Sequence, residues 1–203
     1  MLGPVGHGRI LMETTFHGLQ FTIAPGRVFT PRPATEALVD AALAHIDSRP
    51  ARVADVGTGV GVIAVTIAVE DPNAEVWATD TNGAAVELAR ANAERHGVGD
   101  RVHVVQGSLL EPVPEPVDLV VANLPYIPAG QRRPEYESEP PEAVYSPGDG
   151  TGPLRHLLEL CETGKLAMPG FVLVQFHREV LEADCRHLPQ LRDLIVAKSR
   201  AAA

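Results

Sequence analysis

The segment from Asp55 to Gly61 has the composition of a ligand-binding loop, because it reads Asp-Val-Gly-Thr-Gly-Val-Gly and follows a short apolar run. Glycine is needed where a side chain would block a tight turn or keep a ligand away from the backbone. Asp80 ends the next apolar run, where a carboxylate can accept hydrogen bonds from the two hydroxyls of a ribose. The loop and the acid together predict a nucleoside-binding site. A sharp turn followed by a helix-capping aspartate is the simpler alternative.

The position of Asp55 distinguishes between two classes of nucleoside ligand. The glycines are spaced Gly-x-Gly-x-Gly, whereas dinucleotide-binding loops use Gly-x-Gly-x-x-Gly. A carboxylate immediately before the loop would repel an anionic pyrophosphate, but it would attract a cationic or ammonium-bearing ligand. S-adenosyl-L-methionine carries both a sulfonium and an amino group, so the sequence predicts this methyl donor as the cofactor.

The tetrapeptide Asn123-Leu124-Pro125-Tyr126 follows another apolar run and is the second candidate for chemistry. The Asn123 side-chain oxygen and the Leu124 carbonyl can accept both hydrogens of a planar –NH2 group, which directs the nitrogen lone pair at a methyl donor. Pro125 restricts the residue before it to extended geometry. Tyr126 offers an aromatic face to a planar substrate group. The tetrapeptide predicts N-methylation of an amide or amine; a polar turn after a strand is the alternative.

These residues follow strands of a predicted parallel α/β sheet, because strand-like apolar runs alternate with helical patterns along the chain. Ligands bind beyond the carboxyl ends of the strands in such sheets, which brings the loop and the tetrapeptide to one edge. Strands are predicted at 52–56, 75–79, 102–106, 117–122, 171–176 and around 191–198, and helices at 34–46, from the glycine loop to 69, at 83–96 with Gly97 as the C-cap, and at 154–162. The segment between Arg178 and Pro189 fits either a helix or a strand.

A β-hairpin is predicted before this core, from strands at 10–15 and 19–23 and a turn at 16–18. A stiff, proline-containing connector then leads into the first helix. Residues 1–203 are interpreted as a single methyltransferase domain, with the hairpin and connector in 1–33 and the cofactor-binding core in 34–203.

The segment 127–152 interrupts the alternation of strands and helices, because it is rich in proline, glycine and glutamate. Long irregular segments inside compact domains are usually lids, binding loops or linkers. Its position directly after Tyr126 favours a lid over the site.

The composition of the 203-residue chain agrees with one domain and excludes several classes of protein. No apolar run approaches the ~20 residues that cross a bilayer, and no signal peptide is recognisable. The two cysteines are too few for a disulfide framework, so we expect a cytoplasmic protein. A net charge of −9 argues against a large nucleic-acid surface. The histidines and cysteines lack metal-ligand spacing, so no metal is predicted.

Nearly the whole chain, from His17 to Lys198, resembles the HemK-type protein glutamine methyltransferases. The resemblance implies the doubly wound, Rossmann-like sheet of class I methyltransferases, mostly parallel with an antiparallel strand near the C-terminus. It also implies methylation of the side-chain amide of a protein glutamine, as in a release factor, with S-adenosyl-L-methionine as the donor. The matching motifs are Phe29-Thr30-Pro31-Arg32-Pro33-Ala34-Thr35-Glu36, the glycine loop with Asp80, Asn123 to Tyr126, Glu139-Pro140-Pro141-Glu142-Ala143-Val144 and Gly148-Asp149-Gly150.

The resemblance assigns roles to individual residues. The residues it implies for catalysis are Asn123, Leu124, Pro125 and Tyr126. Those it implies for cofactor binding are Asp55, Gly57, Thr58, Gly59, Gly61, Asp80, Thr81, Ser108, Leu109 and Asn123. Those it implies for substrate binding are Phe29, Pro31, Arg32 and Thr35.

The chain departs from the family pattern at several positions, and these departures keep other functions open. Leu124 replaces a proline, and the same Asn-Leu-Pro-Tyr form occurs in relatives of the ribosomal RNA adenine dimethylases. Ser108 stands where an aspartate often meets the adenine, and Gln175 and His177 replace the usual Glu and Gly. The sequence predicts no helical substrate domain like that of the bacterial release-factor enzymes, and a small partner protein could replace it. The alternatives are a nucleic-acid adenine N6-methyltransferase, a catalytically weak cofactor-binding module and a small-molecule methyltransferase.

Overall fold

The computed structural model describes residues 11–114, 116–177 and 179–201, and these contain ten strands and five α-helices. The strands are β1 (Met12–Phe16), β2 (Leu19–Ile23), β3 (Ala51–Val56), β4 (Ala74–Asp80), β5 (Val102–Gln106), β6 (Val117–Ala122), β7 (Ile127–Pro128), β8 (Tyr145–Ser146), β9 (Leu166–Phe176) and β10 (Glu179–Asp184). The helices are α1 (Glu36–Ile46), α2 (Val62–Glu70), α3 (Gly83–Arg95), α4 (Gly152–Leu160) and α5 (Leu188–Ala201). None of the described helices is both long and apolar enough to cross a membrane.

Six strands form one sheet in the order β10-β9-β6-β3-β4-β5. The five strands from β9 to β5 pair in parallel, and β10 pairs with β9 in the antiparallel sense. The end of β3, Val53 to Val56, is wholly buried because helices cover both faces of the sheet. The hairpin and α1, α2 and α3 pack on one face, and α4 and α5 pack on the other. The predicted α/β sheet, mostly parallel with an antiparallel strand near the C-terminus, is confirmed.

The N-terminal hairpin is built into this core through Asn92 on α3, which is fully buried. Asn92 Nδ2 donates to the Thr22 carbonyl at 3.0 Å and to the Val60 carbonyl at 2.8 Å, and Thr22 N–H donates to Asn92 Oδ1 at 2.9 Å. One side chain thus connects β2 to the glycine loop. The predicted turn at 16–18 is shorter in the structure, because Phe16 pairs with Leu19 as the last rung of the ladder. Residue 10, the predicted start of the first strand, lies outside the described residues.

The segment predicted as a strand around 191–198 is instead part of helix α5, so that prediction is wrong. The β-branched pair Ile195-Val196 favoured a strand. Leu188, Leu191 and Ile195, however, are buried at helical spacing in the cluster that also contains α4 residues. Pro189 lies in the first turn of α5, where its missing N–H costs no helical hydrogen bond. The packing of this apolar face therefore outweighs the local strand preference.

The preceding segment, which fitted either a helix or a strand, contains β10. The β10 register runs from Glu179 opposite Phe176 to Asp184 opposite Phe171. β9 itself begins at Leu166, five residues before the predicted start at 171.

The segment 127–152 has more regular structure than its composition predicts. β7 and β8 pair in parallel, with Pro128 opposite Ser146. Two short 3₁₀ turns lie between them, at Pro134–Tyr136 and Pro141–Ala143, and each begins at a proline. α4 begins at Gly152, where the predicted loop ends.

Candidate active site

A pocket of about 700 Å³ lies at the carboxyl ends of the parallel strands. It is lined by the turns that follow β3, β4, β5 and β6, and its outer wall comes from the connector before α1 and from the segment 127–152. The residues predicted to act in catalysis all line it, as do all four predicted to bind substrate. Of the predicted cofactor residues, the lining set is Gly57, Thr58, Gly59, Asp80, Thr81, Ser108, Leu109 and Asn123.

The glycine loop begins where β3 ends, and it packs directly against the second motif. Backbone N–H groups of Gly57 and Thr58 both donate to the Thr79 carbonyl, at 2.8 and 2.9 Å, which fixes the loop beside β4. Gly57 has a φ of 74°, and a Cβ there would lie 2.8 Å from Leu124 Cδ2. Glycine is therefore required at position 57 both by the backbone conformation and by the Leu124 side chain above it.

Asp80 connects the glycine loop to the start of α3. Its Oδ2 accepts the Gly59 N–H at 2.9 Å, and its Oδ1 accepts the Asn82 N–H at 2.8 Å. Burial raises the pKa of this carboxyl above its ordinary value, although the N–H donors oppose the shift. A carboxylate has lone pairs beyond these two bonds, so Asp80 can still accept hydrogen bonds from a ligand in the pocket.

Asp55 and Gly61 do not line the pocket, although both were predicted to contact the cofactor. Asp55 is completely buried behind the loop, where Thr58 Oγ1 donates to its Oδ2 at 2.6 Å and the Ala64 N–H donates to the same oxygen at 3.0 Å. Burial raises the pKa of Asp55 to about 7. Gly61 forms the N-cap of α2. The structure therefore shows Asp55 holding the loop in shape from within the protein.

The turn after β5 brings Ser108 and Leu109 to the pocket beside β4. The Leu109 carbonyl accepts a hydrogen bond from Thr79 Oγ1 at 2.8 Å, and Leu109 has a φ of 49°. Thr79 thus connects this turn to the glycine loop, since its own carbonyl accepts the two loop N–H groups. Thr81 lines the same part of the pocket.

Asn123 follows β6 and lies next to Thr35 at the start of α1. Its Nδ2 donates to Thr35 Oγ1 at 3.2 Å, and Thr35 is itself buried. This bond turns the amide so that Oδ1 is left without a hydrogen-bond donor among the described residues. Asn123 Oδ1, which the sequence predicts to bind the –NH2 group of the substrate, is therefore the end of the side chain that remains available.

Tyr126 is held by three contacts at the end of the tetrapeptide. Its ring centroid lies 5.0 Å from that of Phe176 and 5.1 Å from that of His177. Its hydroxyl donates to the His177 carbonyl at 3.2 Å. Burial raises the pKa of Tyr126, so the phenol stays protonated at neutral pH. The ring is thus a fixed wall of the pocket.

The connector before α1 is tied to the segment 127–152 through one buried carboxylate, Glu139. Arg32 Nη2 donates to Glu139 Oε1 at 2.7 Å, and the Thr30 N–H donates to Oε2 at 2.9 Å. The Arg32 guanidinium also lies 5.4 Å from the Phe29 ring centroid and 5.7 Å from that of Tyr136. Glu139 therefore holds in place the residues that were predicted to bind substrate.

Residues 32–136 match the family model described as the methyltransferase small domain. This match spans just over half of the chain. The chain belongs to the methyltransferase small domain family.

Two relatives with different methyl acceptors are similar to most of this chain. The release factor glutamine methyltransferase of Gloeobacter violaceus is 40% identical over 170 residues, which cover 81% of this chain and 58% of the relative. The 4-amino-L-phenylalanine/4-methylamino-L-phenylalanine methyltransferase of Streptomyces pristinaespiralis is 38% identical over 181 residues, which cover 83% and 60%. The resemblance to glutamine methyltransferases is confirmed, and the chain spans about three fifths of the length of these relatives.

The class I methyltransferase fold is confirmed by solved structures. The T. thermophilus 16S rRNA N2 G1207 methyltransferase, in complex with AdoMet and guanosine, superposes with a TM-score of 0.58 at 16% sequence identity. The superposition covers 81% of this chain and 41% of the other. At this identity the likeness concerns the fold of the methyltransferase domain.

Sequence reasoning missed several residues that line the methyltransferase pocket. They are Tyr136, Glu142, Ser146, His156, Gln175 and His177. Glu142 lies in a motif shared with the glutamine methyltransferases, and Gln175 and His177 are departures from that family's pattern. The sequence gives none of the three a place in the pocket. Ser146 carried no sequence signal, because its place depends on the pairing of β8 with β7.

Proposed function

We propose that this protein is an S-adenosyl-L-methionine-dependent N-methyltransferase that acts on the side-chain amide of a protein glutamine. The observation that carries this proposal is the orientation of Asn123. Its Nδ2 is engaged by Thr35, which leaves Oδ1 to accept a hydrogen bond from an –NH2 group. The side-chain amide of glutamine carries such an –NH2 group and is planar and uncharged. The relatives named as release factor glutamine methyltransferases support the same substrate class.

The pocket fits S-adenosyl-L-methionine in size and in the types of residue that line it. Ligand pockets enclose about 300–1,000 Å³, and this one is about 700 Å³. Asp80 would accept hydrogen bonds from the ribose hydroxyls, Ser108 would meet the base, and the loop around Gly59 would let the methionine part approach the backbone. When bound, the cofactor would supply its sulfonium methyl group: the S–CH3 bond breaks to leave a thioether, a C–N bond forms, and one proton leaves the acceptor nitrogen to solvent. The AdoMet held by the rRNA methyltransferase of the same fold supports this assignment.

The chain itself contributes positioning and exclusion of water. Asn123 Oδ1 and the Leu124 carbonyl bind the two hydrogens of the acceptor –NH2 group, and Tyr126 packs against its plane. Thr35 fixes the Asn123 amide, so the acceptor nitrogen meets a preorganised site. Amide nitrogen is a weak nucleophile because its lone pair is delocalised. Holding both hydrogens in the amide plane directs what remains of that lone pair toward the methyl donor.

Leu124 is compatible with this chemistry although it replaces the usual proline. Its carbonyl is retained, and Pro125 restricts its backbone to extended geometry. Its side chain is buried and covers Gly57, which couples the tetrapeptide to the glycine loop by packing. This contact between the two motifs restrains Leu124 in place of the second proline.

The proposal is tested by incubating the purified protein with methyl-labelled S-adenosyl-L-methionine and a cell lysate, followed by mass spectrometry of labelled peptides. A methyl group on a glutamine side chain supports the proposal. A label confined to RNA would support an adenine methyltransferase, and no transfer to any acceptor would support a cofactor-binding module.

A second acceptor class, aromatic amines, is favoured by the Streptomyces pristinaespiralis relative. An aniline-type nitrogen also carries two hydrogens on a planar group, so Asn123 and Leu124 could bind it in the same way. Adding 4-amino-L-phenylalanine as a competing acceptor separates the two, because turnover of it in preference to glutamine would reassign the substrate.

The proposal includes a protein partner as substrate and a reducing, cytoplasmic setting. The chain has only two cysteines, Cys161 and Cys185, which are too few for a disulfide framework and so support such a compartment. A small partner protein that completes the substrate site stays a prediction. Comparison of turnover by the pure protein with turnover in lysate tests it, since a requirement for lysate protein would indicate the partner.

A further inference from the structure

Unpaired buried polar atoms mark a part of the pocket that the proposed mechanism does not use. Ser146 is 2% exposed and Gln175 is 4% exposed, and neither Ser146 Oγ nor Gln175 Oε1 has a hydrogen-bond partner among the described residues. Both residues line the pocket. Leaving a buried polar group unpaired costs about 1–3 kcal/mol, so such groups are normally satisfied. Rotation of the Ser146 hydroxyl or the Gln175 amide toward the pocket would let a ligand satisfy them.

The position of Gln175 places it beside the acceptor site. β9 runs parallel to β6, with Val174 opposite Ala122. The next residues, Gln175 and Asn123, therefore lie side by side where the two strands end. Gln175 is thus the β9 residue at the level of Asn123, and both residues line the pocket.

Ser146 approaches the same tetrapeptide from the other side. It lies at the end of β8, and its carbonyl accepts the Ala129 N–H at 2.9 Å, which ties it to the segment directly after Tyr126. Gly150 nearby packs so closely on the Tyr126 carbonyl that a Cβ would overlap it. Ser146 is therefore paired with the segment that follows Tyr126, and Gln175 precedes Phe176, which packs on the Tyr126 ring.

The Ser146 hydroxyl and the Gln175 amide favour an uncharged ligand group. A serine hydroxyl and a glutamine amide each donate and accept hydrogen bonds, and neither carries a charge. His177 follows on the same wall, and burial with the neighbouring Arg133 lowers its pKa, so its imidazole is neutral as well. Ile127 and Val144 complete the wall with apolar surface. A carboxylate or an ammonium group would find no buried counter-ion among these residues, whereas a peptide group offers one N–H and one C=O.

We propose that Gln175 and Ser146 bind a backbone peptide group of the acceptor chain, next to the side chain that is methylated. This inference rests on the proposed function and assigns two residues that recognise the polypeptide around the methylated glutamine, in preference to the free amino acid. Gln175 and Ser146 are thus specificity residues, and Asn123 remains the residue that contacts the acceptor nitrogen.

Calorimetry tests the inference by measuring the Kd of a peptide. The probe is a capped pentapeptide with a central glutamine and alanine elsewhere, titrated into protein that is saturated with S-adenosylhomocysteine. Gln175→Met and Ser146→Ala remove the hydrogen-bonding groups and keep most of the volume. Each should raise the peptide Kd about tenfold, the loss expected for one buried hydrogen bond. The Kd for S-adenosylhomocysteine should change less than twofold, which also shows that each variant is folded.

Thr66→Val is the matched control. Thr66 Oγ1 is another buried atom without a hydrogen-bond partner in the described part of the chain, but Thr66 lies in α2 and does not line the pocket. It should leave the peptide Kd unchanged. The inference is overturned if Gln175→Met and Ser146→Ala also leave the peptide Kd unchanged, or if the wild-type protein binds free glutamine as tightly as the peptide. Should Gln175→Met not fold, Ser146→Ala alone decides.

The same samples separate this inference from the proposed function. If the peptide binds and the variants weaken it, but labelled methyl never reaches the glutamine, then the binding site stands and the proposed reaction falls. If methyl transfer occurs with equal KM in wild type and both variants, then the reaction stands and the peptide site falls.

Discussion

Asn123 Nδ2 donates to Thr35 Oγ1 at 3.2 Å, and this bond determines which end of the Asn123 amide faces the acceptor. Thr35 directly precedes α1 and Asn123 follows β6, so residues 88 positions apart meet in the pocket. An amide that rotated freely would present its NH2 group to the acceptor for part of the time, and two NH2 groups cannot bind each other productively. Thr35 is therefore a positioning residue for Asn123.

Replacing Thr35 by valine should lower kcat while leaving cofactor binding intact. Valine keeps the shape of the side chain and removes the hydroxyl, so Asn123 loses its orienting partner. We expect kcat to fall about tenfold, because one buried hydrogen bond contributes about 1–1.5 kcal/mol. Steady-state kinetics measure this, and Thr35→Ser, which restores the hydroxyl, should recover most of the loss. Equal kcat in Thr35→Val and wild type would show that Asn123 is oriented by other contacts.

The buried Asp55 makes the stability of the protein depend on pH. Burial raises its pKa from 3.8 to about 7 in the folded protein, so the folded state holds a proton that the unfolded state has already lost in this range. The stabilisation is complete below pH 3.8 and is lost as the pH rises to about 7. The difference in unfolding free energy between wild type and Asp55→Asn should therefore change by several kcal/mol over this window, in favour of Asn at the high end.

Urea unfolding at a series of pH values from 4 to 8 checks this prediction. Asp193→Asn is the matched control, because Asp193 is exposed on α5. It should track the wild type throughout. A constant difference between Asp55→Asn and wild type would mean that the pKa of Asp55 is not raised by burial.

We expect Glu139 to couple the segment 127–152 to the residues predicted to bind substrate. Glu139→Gln removes the charge that holds Arg32 and keeps an oxygen for the Thr30 N–H, so the expected destabilisation is about 1–3 kcal/mol. The KM for the acceptor should rise, since Phe29 and Tyr136 are positioned through Arg32. Thermal unfolding and acceptor kinetics provide the measurements. Glu137→Gln, an exposed glutamate of the same segment, should change neither quantity.

The sequence predicted the central sheet and the loops at its carboxyl edge well because their signals are local. A buried parallel strand, a glycine loop and a strand-end aspartate are each visible within a few residues, and the topology then brings them together. Asp55 shows the limit of this reasoning. Its type and position suggested contact with a cation, but the loop folds over it, and only the three-dimensional packing shows that it lies inside the protein.

The outer parts of the site were less predictable because long-range contacts form them. The segment 127–152 looked irregular, yet Glu139 ties it to Arg32 across 107 positions of sequence. Ser146 reaches the pocket only through the pairing of β8 with β7. At the C-terminus, the β-branched Ile195 favoured a strand, but burial against the α4 side of the sheet selected a helix.

Methyl transfer to a glutamine-containing peptide, measured with the Asn123→Ala variant, tests the role of Asn123 most directly. Loss of the Oδ1 acceptor removes the group that holds the acceptor nitrogen, so turnover should fall at least about 100-fold. The Kd for S-adenosyl-L-methionine, measured by calorimetry on the same sample, should change less than twofold. If turnover and cofactor affinity fall together, Asn123 supports the fold of the site. If turnover persists near the wild-type rate, the assignment of the acceptor site to Asn123 is wrong.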